Sequence, residues 1–325
     1  MQFLEKHQTL FERYLEKQLM EGNPPGLYEP VNYIMQLGGK RIRPILTLIA
    51  YQVFRSDVAK ALPLAYAVEL FHNFSLVHDD IMDQALLRRG KKSVHAKWDI
   101  NTGILSGDAM LILTYKYFMQ FDQENYFASL LRVFNRTGLE VCEGQQMDMN
   151  FEKRLDVRLE EYLKMIELKT AALIGCALEL GSIAAGAQPE DVAHLAAFGR
   201  NIGISFQLQD DILDTFGDPQ KVGKKVGGDI VQNKKTFLVI KALEMAADSQ
   251  RLRLNQLMNS TTINEAEKIA TVMEIFKDLN IKALAIQAKE TYQQKALAQL
   301  EAVQGGNEAK EELRMLAGAL LVRNF

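Results

Sequence analysis

Apolar residues recur at intervals of three and four along most of the chain, as in Leu163, Ile166 and Leu173. This spacing covers one face of an α-helix, whereas sustained alternation of apolar and polar residues, which is typical of a β-strand, is missing. The seven prolines also leave residues 64–188 and 220–325 without proline. Because proline disrupts a helix interior, the pattern predicts an all-α chain with loops marked by Gly and Pro.

Gly and Pro also give approximate bounds for the helices. We expect a loop through Asn23-Pro-Pro-Gly26, a helix stop at Gly38-Gly39 and Pro44 in the first turn of a helix. No linker, charge block or abrupt change in composition divides the chain, so we predict a single domain over residues 1–325. The predicted helices cover about residues 2–20, 29–37, 44–54, 61–86, 104–121, 124–151, 159–185, 189–216 and 234–247, and several more follow towards the end.

Three carboxylates are concentrated in residues 76–83, near the middle of a predicted helix that is apolar on more than one side, as in the centre of a bundle. There Asp79 and Asp83 lie one turn apart on the same face, and Asp80 lies about 100° round the helix. Such carboxylates repel one another unless a cation relieves the repulsion. Oxygen ligands without His or Cys favour magnesium, which commonly bridges carboxylates to phosphate oxygens. The alternative for a single cluster is a solvated acidic helix face.

A second cluster repeats this spacing in residues 206–214, with Asp210, Asp211 and Asp214. Both clusters lie in strongly apolar segments, so neither is typical of an ordinary wet surface. Two clusters that face each other across a cavity would hold several magnesium ions, and several ions imply a polyanion such as a diphosphate. Duplication and convergence on one metal chemistry explain the repeat equally well.

Taken with two basic motifs, the paired clusters resemble the trans-type isoprenyl (polyprenyl) diphosphate synthases. The basic motifs are Gly38-Gly-Lys-Arg-Ile-Arg-Pro44 and Arg88-Arg-Gly90. Each motif alone is loose, but five or six in the family's order, from Gly38 to about Lys235, are highly specific. The resemblance is to the short-chain farnesyl and geranylgeranyl synthases, and it implies an isoprenoid-synthase fold, a large single-domain bundle of antiparallel helices around a central cavity.

The resemblance also implies the reaction and the partners. The chain would condense an allylic diphosphate (dimethylallyl, geranyl or farnesyl) with isopentenyl diphosphate by ionisation, condensation and elimination. Three Mg²⁺ ions per active site and a homodimer are expected on the same ground. No protein nucleophile is needed, which agrees with the lack of a convincing Ser, Cys and His constellation in the sequence.

Individual residues receive roles from the same resemblance. The diphosphate of isopentenyl diphosphate is held by Lys40, Arg43, His72 and Arg89, whereas we expect helical geometry near Pro44 to turn Arg41 away. The allylic diphosphate is held by Arg88, Lys169, Lys224 and Lys234. The residues beside the substrates are Thr170, Phe206 and Gln207. The metal ligands are Asp79, Asp80, Asp83, Gln145, Asp148, Asp210, Asp211 and Asp214. The catalytic set is Asp79, Asp80, Asp83, Arg88, Lys169, Thr170, Gln207, Asp210 and Lys224.

These sets have plainer structural explanations as well. A Lys-Arg-x-Arg run is common on protein surfaces, and Lys224 lies in a stretch that is either a flexible surface loop or a lid over bound diphosphate. Gln145, Gln207 and Thr170 would otherwise make ordinary hydrogen bonds in the core. Lys169 lies inside an apolar helix, where a lysine is costly to bury unless it pairs with an anion.

The residues before the first cluster bear on product length. Phe74 lies five positions before Asp79, about 7.5 Å along the helix. In the family a bulky residue there limits chain growth, and the first motif lacks the two-residue insertion of some bacterial members. With Phe71 as a deeper stop and Ser75 beside it, we predict a product of fifteen or twenty carbons. The alternative is that both Phe side chains simply pack in the core.

Composition and charge narrow the class of protein. The chain is 48% hydrophobic and 24% charged, and its net charge of −3 argues against nucleic acid as the main partner. Cys142 and Cys176 form no C-x-x-C pair, so a reducing cytoplasm fits. No apolar run approaches about eighteen residues, and residues 1–7 hold no signal-peptide core, so we expect neither a membrane-spanning helix nor a targeting segment.

Four competing interpretations remain open at this point. A terpene cyclase or squalene-type synthase shares the fold and an Asp-rich motif but resembles this chain at the first cluster only. A non-catalytic subunit of a prenyl synthase typically loses one Asp motif, and both are intact here. A longer-chain polyprenyl synthase and a magnesium-buffering helical protein complete the set. Arg323 would cover the homoallylic site if the C-terminus closes over it.

Overall fold

The computed structural model describes residues 4–121, 124–154, 156–218, 226–260 and 263–321. These residues are almost entirely helical, which confirms the predicted all-α fold class. Strands within these ranges form one short antiparallel hairpin, β1 (Leu87–Arg88) and β2 (Lys91–Lys92). No helix in the same ranges is long and apolar enough to cross a bilayer.

The helices follow one another with short connections. The first ten are α1 (Glu5–Glu16), α2 (Pro25–Gln36), α3 (Ile42–Gln52), α4 (Leu62–Met82), α5 (Val94–Lys97), α6 (Ile100–Met119), α7 (Glu124–Glu152), α8 (Leu159–Ile166), α9 (Ala172–Ala184) and α10 (Pro189–Phe216). A 3₁₀ turn (Val58–Ala61) precedes α4, and a π-helical turn (Glu167–Ala171) joins α8 to α9. The remaining helices are α11 (Gly228–Val231), α12 (Phe237–Met245), α13 (Asp248–Asn259), α14 (Glu265–Asp278), α15 (Ile281–Ala302) and α16 (Asn307–Leu321).

The chain forms two compact units, each assembled from three stretches of sequence. The first unit comprises Met1–Asn135, Cys176–Ala196 and Val303–Leu313. The second unit comprises Arg136–Gly175, Ala197–Ala302 and Arg314–Phe325. The single domain over residues 1–325 stays a prediction.

Helix α4 is the centre of the first unit. Five successive residues, Leu64 to Val68, are at most 2% exposed, so the helix is covered on all sides, as its apolar pattern predicted. It packs against α3 and α6. The approach of α6 is close, because a Cβ at Gly107 would lie 2.3 Å from Nε2 of His78. Glycine at this position therefore lets α6 lie directly on the last turns of α4.

A buried ion pair fixes the start of α3 in the first unit. Arg41 adopts a left-handed backbone conformation (φ 50°) as the N-cap of this helix, and its side chain is 4% exposed. The guanidinium donates to Glu69 at 2.7 Å and to Glu12 at 3.1 Å. Burial alone would lower the pKa of Arg41, but these two carboxylates raise it above its usual value. The side chain of Arg41 is therefore committed to a buried ion pair.

The core of the second unit surrounds the C-terminal half of α10. Leu208 and Ile212 pack there with Ile230, Phe237 and Val272 from the helices that follow. These buried positions are spaced by three or four residues within each helix, as expected for helical packing. The end of α10 is thus anchored in an apolar core that leaves little freedom to its polar residues.

The predicted helix over residues 159–185 is interrupted by the π-helical turn. Glycines of two neighbouring helices approach this turn closely. A Cβ at Gly144 would lie 2.3 Å from the backbone nitrogen of Lys169, and a Cβ at Gly203 would lie 2.5 Å from Cα of Ala171. The turn is therefore wedged between α7 and α10. Helical periodicity does not reveal such an insertion, because the apolar spacing on either side is unchanged.

Four predicted boundaries were wrong by four residues. Helix α1 ends at Glu16 instead of residue 20, and helix α6 begins at Ile100 instead of residue 104. Helix α2 begins at Pro25 instead of residue 29, because proline fits the first turn of a helix, where its missing N–H needs no partner. Helix α4 ends at Met82 instead of residue 86. Gln84 takes a left-handed conformation (φ 52°), and the chain turns into the hairpin β1–β2.

Candidate functional site

The first carboxylate cluster lies in the last turn of α4. Asp79 and Asp80 belong to this turn, and Asp83 is the C-cap, with its N–H donating to the carbonyl of Asp79 at 2.8 Å. The sequence analysis placed the cluster near the middle of a helix, which is wrong because α4 ends at Met82 and a hairpin that was not predicted follows it. At a C-terminus the helix dipole is negative, so three carboxylates are less favourable here than in the middle. The need for a cation is correspondingly greater.

The three carboxylates differ in what surrounds them. Asp80 is 0% exposed, and its oxygens accept hydrogen bonds from Nε of Arg88 at 3.0 and 3.2 Å and from Nη2 of the same side chain. Asp79 is half-buried and Asp83 is exposed. The hairpin, by placing Arg88 against Asp80, neutralises the inner carboxylate. The two outer carboxylates, one helical turn apart, are the pair with access to a metal ion.

The residues predicted to bind isopentenyl diphosphate lie at the start of α3, on α4 and in the turn of the hairpin. Nη1 of Arg43 lies 3.2 Å from Nε2 of His72. Arginine only donates, so Nε2 accepts and the proton of a neutral His72 lies on Nδ1. Arg89 (φ 52°) donates to the carbonyl of Gly38, and a Cβ at Gly39 would lie 2.9 Å from its Cζ. The glycines therefore let the Arg89 guanidinium rest on the backbone.

Three of the four residues predicted to hold isopentenyl diphosphate are close enough to shift one another's pKa values. Burial lowers the pKa of His72 well below its usual value, and Arg43, Arg89 and Arg88 lower it further. Burial lowers the pKa of Arg43 to about 10, with Glu69 opposing this effect and Arg89 adding to it. The fourth residue, Lys40, is exposed and follows Gly39. This concentration of positive charge suits a phosphate anion, which arginine binds with two hydrogen bonds.

The second carboxylate cluster occupies the end of α10. The side chain of Asp211 is inward, 4% exposed, and accepts hydrogen bonds from the Tyr162 hydroxyl, from Nε2 of Gln207 at 3.4 Å and from the N–H of Phe237 at 3.4 Å. Asp210 and Asp214 are half-buried. As in the first cluster, the middle carboxylate is held by the protein and the outer two are more accessible.

Asp229 was missed by the sequence analysis. Its N–H donates to Oδ2 of Asp214 at 2.9 Å, and its carboxylate lies 3.6 Å from Nζ of Lys234. A Cβ at Gly228 would lie 3.0 Å from Oδ1 of Asp214. The Gly228-Asp229 pair thus brings a fourth carboxylate beside the second cluster. Its only signal in the sequence is a Gly-Asp dipeptide after a turn, which is common.

The π-helical turn carries Lys169 and Thr170. Nζ of Lys169 lies 2.6 Å from Oδ2 of Asp148, which supplies the anion that a lysine in an apolar helix requires. Oγ1 of Thr170 donates to Oε1 of Gln207 at 3.2 Å. The structure therefore brings together four predicted site residues of the second unit. Two of them lie on a distorted helical turn, a feature frequent at functional sites.

The remaining predicted site residues differ in burial, and two of them lie outside the part of the chain that the structure describes. Gln145 is 9% exposed, and Phe206 is half-buried. Lys224 and Arg323 lie outside the described residues. Oγ of Ser75 donates to the carbonyl of His72 at 2.8 Å, within its own helix.

Phe71 and Phe74 differ in burial. Phe71 is 2% exposed and packs edge-on against Phe134, with ring centroids 5.1 Å apart. Phe74 is half-buried, and its ring centroid lies 5.4 Å from that of Phe71. Phe71 is therefore a core residue that backs Phe74, and Phe74 is the accessible member of the pair.

The donor set fits a hard cation that is shared with a substrate. Within the described part of the chain, no three His, Cys, Asp or Glu side chains converge to hold an ion by themselves. The outer carboxylates of each cluster nevertheless offer oxygen ligands at helix ends whose dipoles favour a positive charge. Magnesium prefers six oxygens and is usually held by one or two carboxylates with phosphate and water. Asp79 with Asp83, and Asp210 with Asp214, suit that kind of coordination.

Comparison with known proteins places these features in context. Residues 24–276 match the family described as Polyprenyl synthetase. The chain is 36% identical to a short chain isoprenyl diphosphate synthase of Methanothermobacter thermautotrophicus, over 99% of this chain and 98% of that protein. It is 36% identical to a geranylgeranyl diphosphate synthase of Sulfolobus acidocaldarius, over 88% and 87% of the two chains. A solved geranylgeranyl pyrophosphate synthase superposes with a TM-score of 0.93 at 46% identity, covering 99% of each chain.

Asp211 makes the stability of the metal-free protein depend on pH. Burial and the nearby Asp229 carboxylate together raise its pKa from 3.8 to about 7, against hydrogen bonds that lower it. The folded state therefore binds this proton more tightly than the unfolded state. The contribution of Asp211 to stability is complete below pH 3.8 and is lost as the pH rises through about 7. We expect Asp211→Asn to stabilise the protein by on the order of 2 kcal/mol at pH 8 and by less at pH 5.5.

Chemical denaturation in EDTA at the two pH values measures this difference. Asp278→Asn, at an exposed position of α14, is the matched control and should change the free energy of unfolding by less than about 0.5 kcal/mol. An Asp211→Asn protein whose stability relative to the wild type does not change with pH would contradict the prediction.

Proposed function

This chain belongs to the polyprenyl synthetase family, and we propose that it condenses an allylic diphosphate with isopentenyl diphosphate. The product would be a short all-trans prenyl diphosphate. One observation carries the proposal: α4 bears both His72, which lies beside Arg43, and Asp79, in the carboxylate cluster. The two residues are seven apart, or about 10.5 Å along the helix. We infer that one helix contributes to a site for a metal-free anion and to a site for a metal-bound anion. The condensation of two diphosphate substrates requires both sites.

The two sites bind their diphosphates differently. Arg43, His72 and Arg89, together with Lys40, hold isopentenyl diphosphate through charge and hydrogen bonds. Because its pKa is depressed, His72 is neutral at physiological pH and contributes a single N–H donor. The strong positive charge of its neighbours balances this diphosphate without a metal. This substrate does not ionise, because its C–O bond is homoallylic and the resulting cation would lack allylic stabilisation.

The allylic diphosphate is the leaving group. The family motifs assign contacts with it to Arg88, Lys169, Lys224 and Lys234. Arg88 is itself held by Asp80. The outer Asp residues of both clusters would hold three magnesium ions. When bound, magnesium neutralises the diphosphate oxygens as negative charge develops on them.

The reaction then follows from the charges. The allylic C–O bond breaks, and its electron pair leaves with the diphosphate, which the cationic side chains stabilise. The terminal alkene of isopentenyl diphosphate donates its electrons to the allylic cation, and a carbon–carbon bond forms. A proton leaves the adjacent carbon and is accepted by the departed diphosphate. Apolar surroundings would be needed to exclude water, which would otherwise trap the cation.

Product length would be set beneath the first cluster. The growing chain extends from Asp79 towards Phe74, about 7.5 Å along α4. Phe74 is backed by Phe71, which is fixed in the core by Phe134. A ring that cannot move aside stops elongation, and this supports a product of fifteen or twenty carbons.

Helix α6 provides a surface for a second copy of the chain. Leu105, Ile112 and Met119 are 60%, 68% and 66% exposed, and their spacing of seven residues places them on one face. Contiguous exposed apolar residues typically mark an interface, and closed dimers are the commonest assembly. We therefore propose a homodimer built on α6. The free cysteines at 142 and 176 suit a reducing compartment, and we propose the cytoplasm.

Product analysis tests the proposed reaction. Incubation with magnesium, isopentenyl diphosphate and dimethylallyl, geranyl or farnesyl diphosphate should give products of fifteen or twenty carbons after dephosphorylation and chromatography. Asp79→Asn and Asp83→Asn should lower kcat by about 10²–10³-fold, because each removes charge that balances the leaving group. Asp278→Asn should retain full activity. A folded wild-type protein that elongates no primer would favour a cyclase or a silent subunit instead.

Phe74 can be tested by changing the size of its side chain in both directions. Phe74→Ala opens the space beneath the first cluster, and we expect the main product to lengthen by at least one isoprene unit. Phe74→Trp fills that space and should shorten the product. The same chromatography measures both, and an unchanged product in both variants would refute the role of Phe74 as the stop.

The dimer can be tested by placing a charge on the α6 face. Ile112→Glu buries a carboxylate in the proposed interface, so sedimentation velocity should show a shift from dimer to monomer. Leu252→Glu, at a position that is 62% exposed in the second unit, is the control and should remain dimeric. A wild-type protein that sediments as a monomer would contradict the proposal.

A further inference from the structure

Lys268 is a buried cation of α14 to which neither the sequence motifs nor the proposed reaction gives a role. Only 3% of the surface of Lys268 is exposed. Nζ lies 2.5 Å from Oδ1 of Asn233 and 3.4 Å from the carbonyl oxygen of Val231. Both of these hydrogen-bond acceptors, an amide oxygen and a carbonyl oxygen of the described residues, are uncharged. Burial of an ammonium group is costly, and burial here lowers the pKa of Lys268.

The two partners of Lys268 occupy the end of α11. Val231 is the last residue of this helix, so its carbonyl has no partner within the helix. Asn233 adopts a left-handed conformation (φ 60°), which asparagine tolerates better than most residues. Lys268 thus stabilises the carbonyl end of α11 and fixes the side chain of the residue at which the chain turns.

A second contact holds the same segment against α14. Gly227 (φ 86°) begins the segment, and a Cβ at this position would lie 2.9 Å from Cδ1 of Ile269. The backbone is therefore in direct contact with α14 next to Lys268. On its other side, the segment donates from Gly227 to the carbonyl of Asp214 at 2.7 Å and from Asp229 to Oδ2 of Asp214 at 2.9 Å. Residues 227–235 are thereby fixed between α14 and the second carboxylate cluster.

The segment carries two charged residues of the allylic site. Lys234 follows Asn233 directly, and its N–H donates to the carbonyl of Asp229 at 2.9 Å. Nζ of Lys234 lies 3.6 Å from Oδ1 of Asp229. The place of the Lys234 ammonium therefore depends on the turn at Asn233, and that turn depends on Lys268.

We propose that Lys268 is a positioning residue for the allylic diphosphate, acting through Asn233 to hold Lys234 beside the second carboxylate cluster. The inference rests on the proposed function, since it deepens the account of one of its two substrate sites. It explains why a buried position on α14 holds a lysine in place of an apolar residue. A methionine would fill the same space without the cost of a buried charge, but it would leave Asn233 and Val231 without their donor.

Lys268→Met tests the inference. We expect KM for geranyl diphosphate to rise at least tenfold and the directly measured Kd, by calorimetry with magnesium, to rise in parallel. KM for isopentenyl diphosphate should change less than twofold, because that substrate is bound by the first unit. Tm should be equal to or higher than that of the wild type, since a buried charge is removed. Lys277→Met, at an exposed position of the same helix, is the control and should behave as the wild type.

Two further variants separate positioning from packing. Asn233→Gly keeps the left-handed backbone but removes the acceptor, so it should raise KM for geranyl diphosphate as Lys268→Met does. The double variant should be no worse than Lys268→Met alone, because both changes break one contact. Lys268→Arg should restore most of the affinity. If Lys268→Met does not fold, the comparison of Asn233→Gly with the wild type decides.

Two results would overturn the inference. One is an unchanged affinity for geranyl diphosphate in Lys268→Met and Asn233→Gly. The other is a loss of affinity for both substrates together with a lower Tm, which would make Lys268 a residue of general stability. In either case a wild-type protein that still elongates its primer leaves the proposed function standing, whereas a wild type without product would show that the proposed function has failed.

Discussion

The site depends on carboxylates gathered at the negative ends of helices. Asp79, Asp80 and Asp83 close α4, and the second cluster closes α10. Like charges repel one another there, and the helix dipole adds to the repulsion. Both effects make folding less favourable, and the chain nevertheless contains this arrangement twice. A bound cation is the simplest way to offset the cost, and this is the usual trade of stability for function at a binding site.

The protein relieves part of this repulsion by itself. In each cluster the middle carboxylate points inward, and it is neutralised by Arg88 in one case and held by Tyr162 and neighbouring donors in the other. The outer carboxylates at positions i and i+4 are more accessible. The spacing of the three Asp residues therefore gives them two environments. The protein holds the middle carboxylate, and we propose that the two outer carboxylates bind the ligand. The hairpin supplies Arg88 for the first of these contacts, and α8 and α12 supply Tyr162 and the N–H of Phe237 for the second.

Much of the fold and of the site was predictable from the sequence, for physical reasons. Helical periodicity predicted α10 at both ends, and the spacing of Asp210, Asp211 and Asp214 placed them on successive turns. Lys169 was expected to need an anion, and Asp148 supplies it. Such predictions depend on contacts between residues close in sequence or on a strong energetic cost that demands a partner.

Other features were not predictable because they depend on tertiary contacts. The π-helical turn arises where Gly144 and Gly203 admit neighbouring backbones, and no local pattern marks it. The early end of α4 depends on the left-handed conformation of Gln84, a residue with no strong preference for it. Nothing in the sequence around Lys268 distinguishes it from an ordinary surface lysine. Only the structure shows that it is buried against Asn233.

The central claim is that one helix bears a metal-free site and a metal-dependent site for two diphosphates. Calorimetric titration of each substrate alone, in magnesium and then in EDTA, tests it most directly. The account predicts that isopentenyl diphosphate binds with the same affinity in both conditions, while geranyl diphosphate loses at least tenfold in EDTA. Equal dependence of both substrates on magnesium, or independence of both, would contradict it.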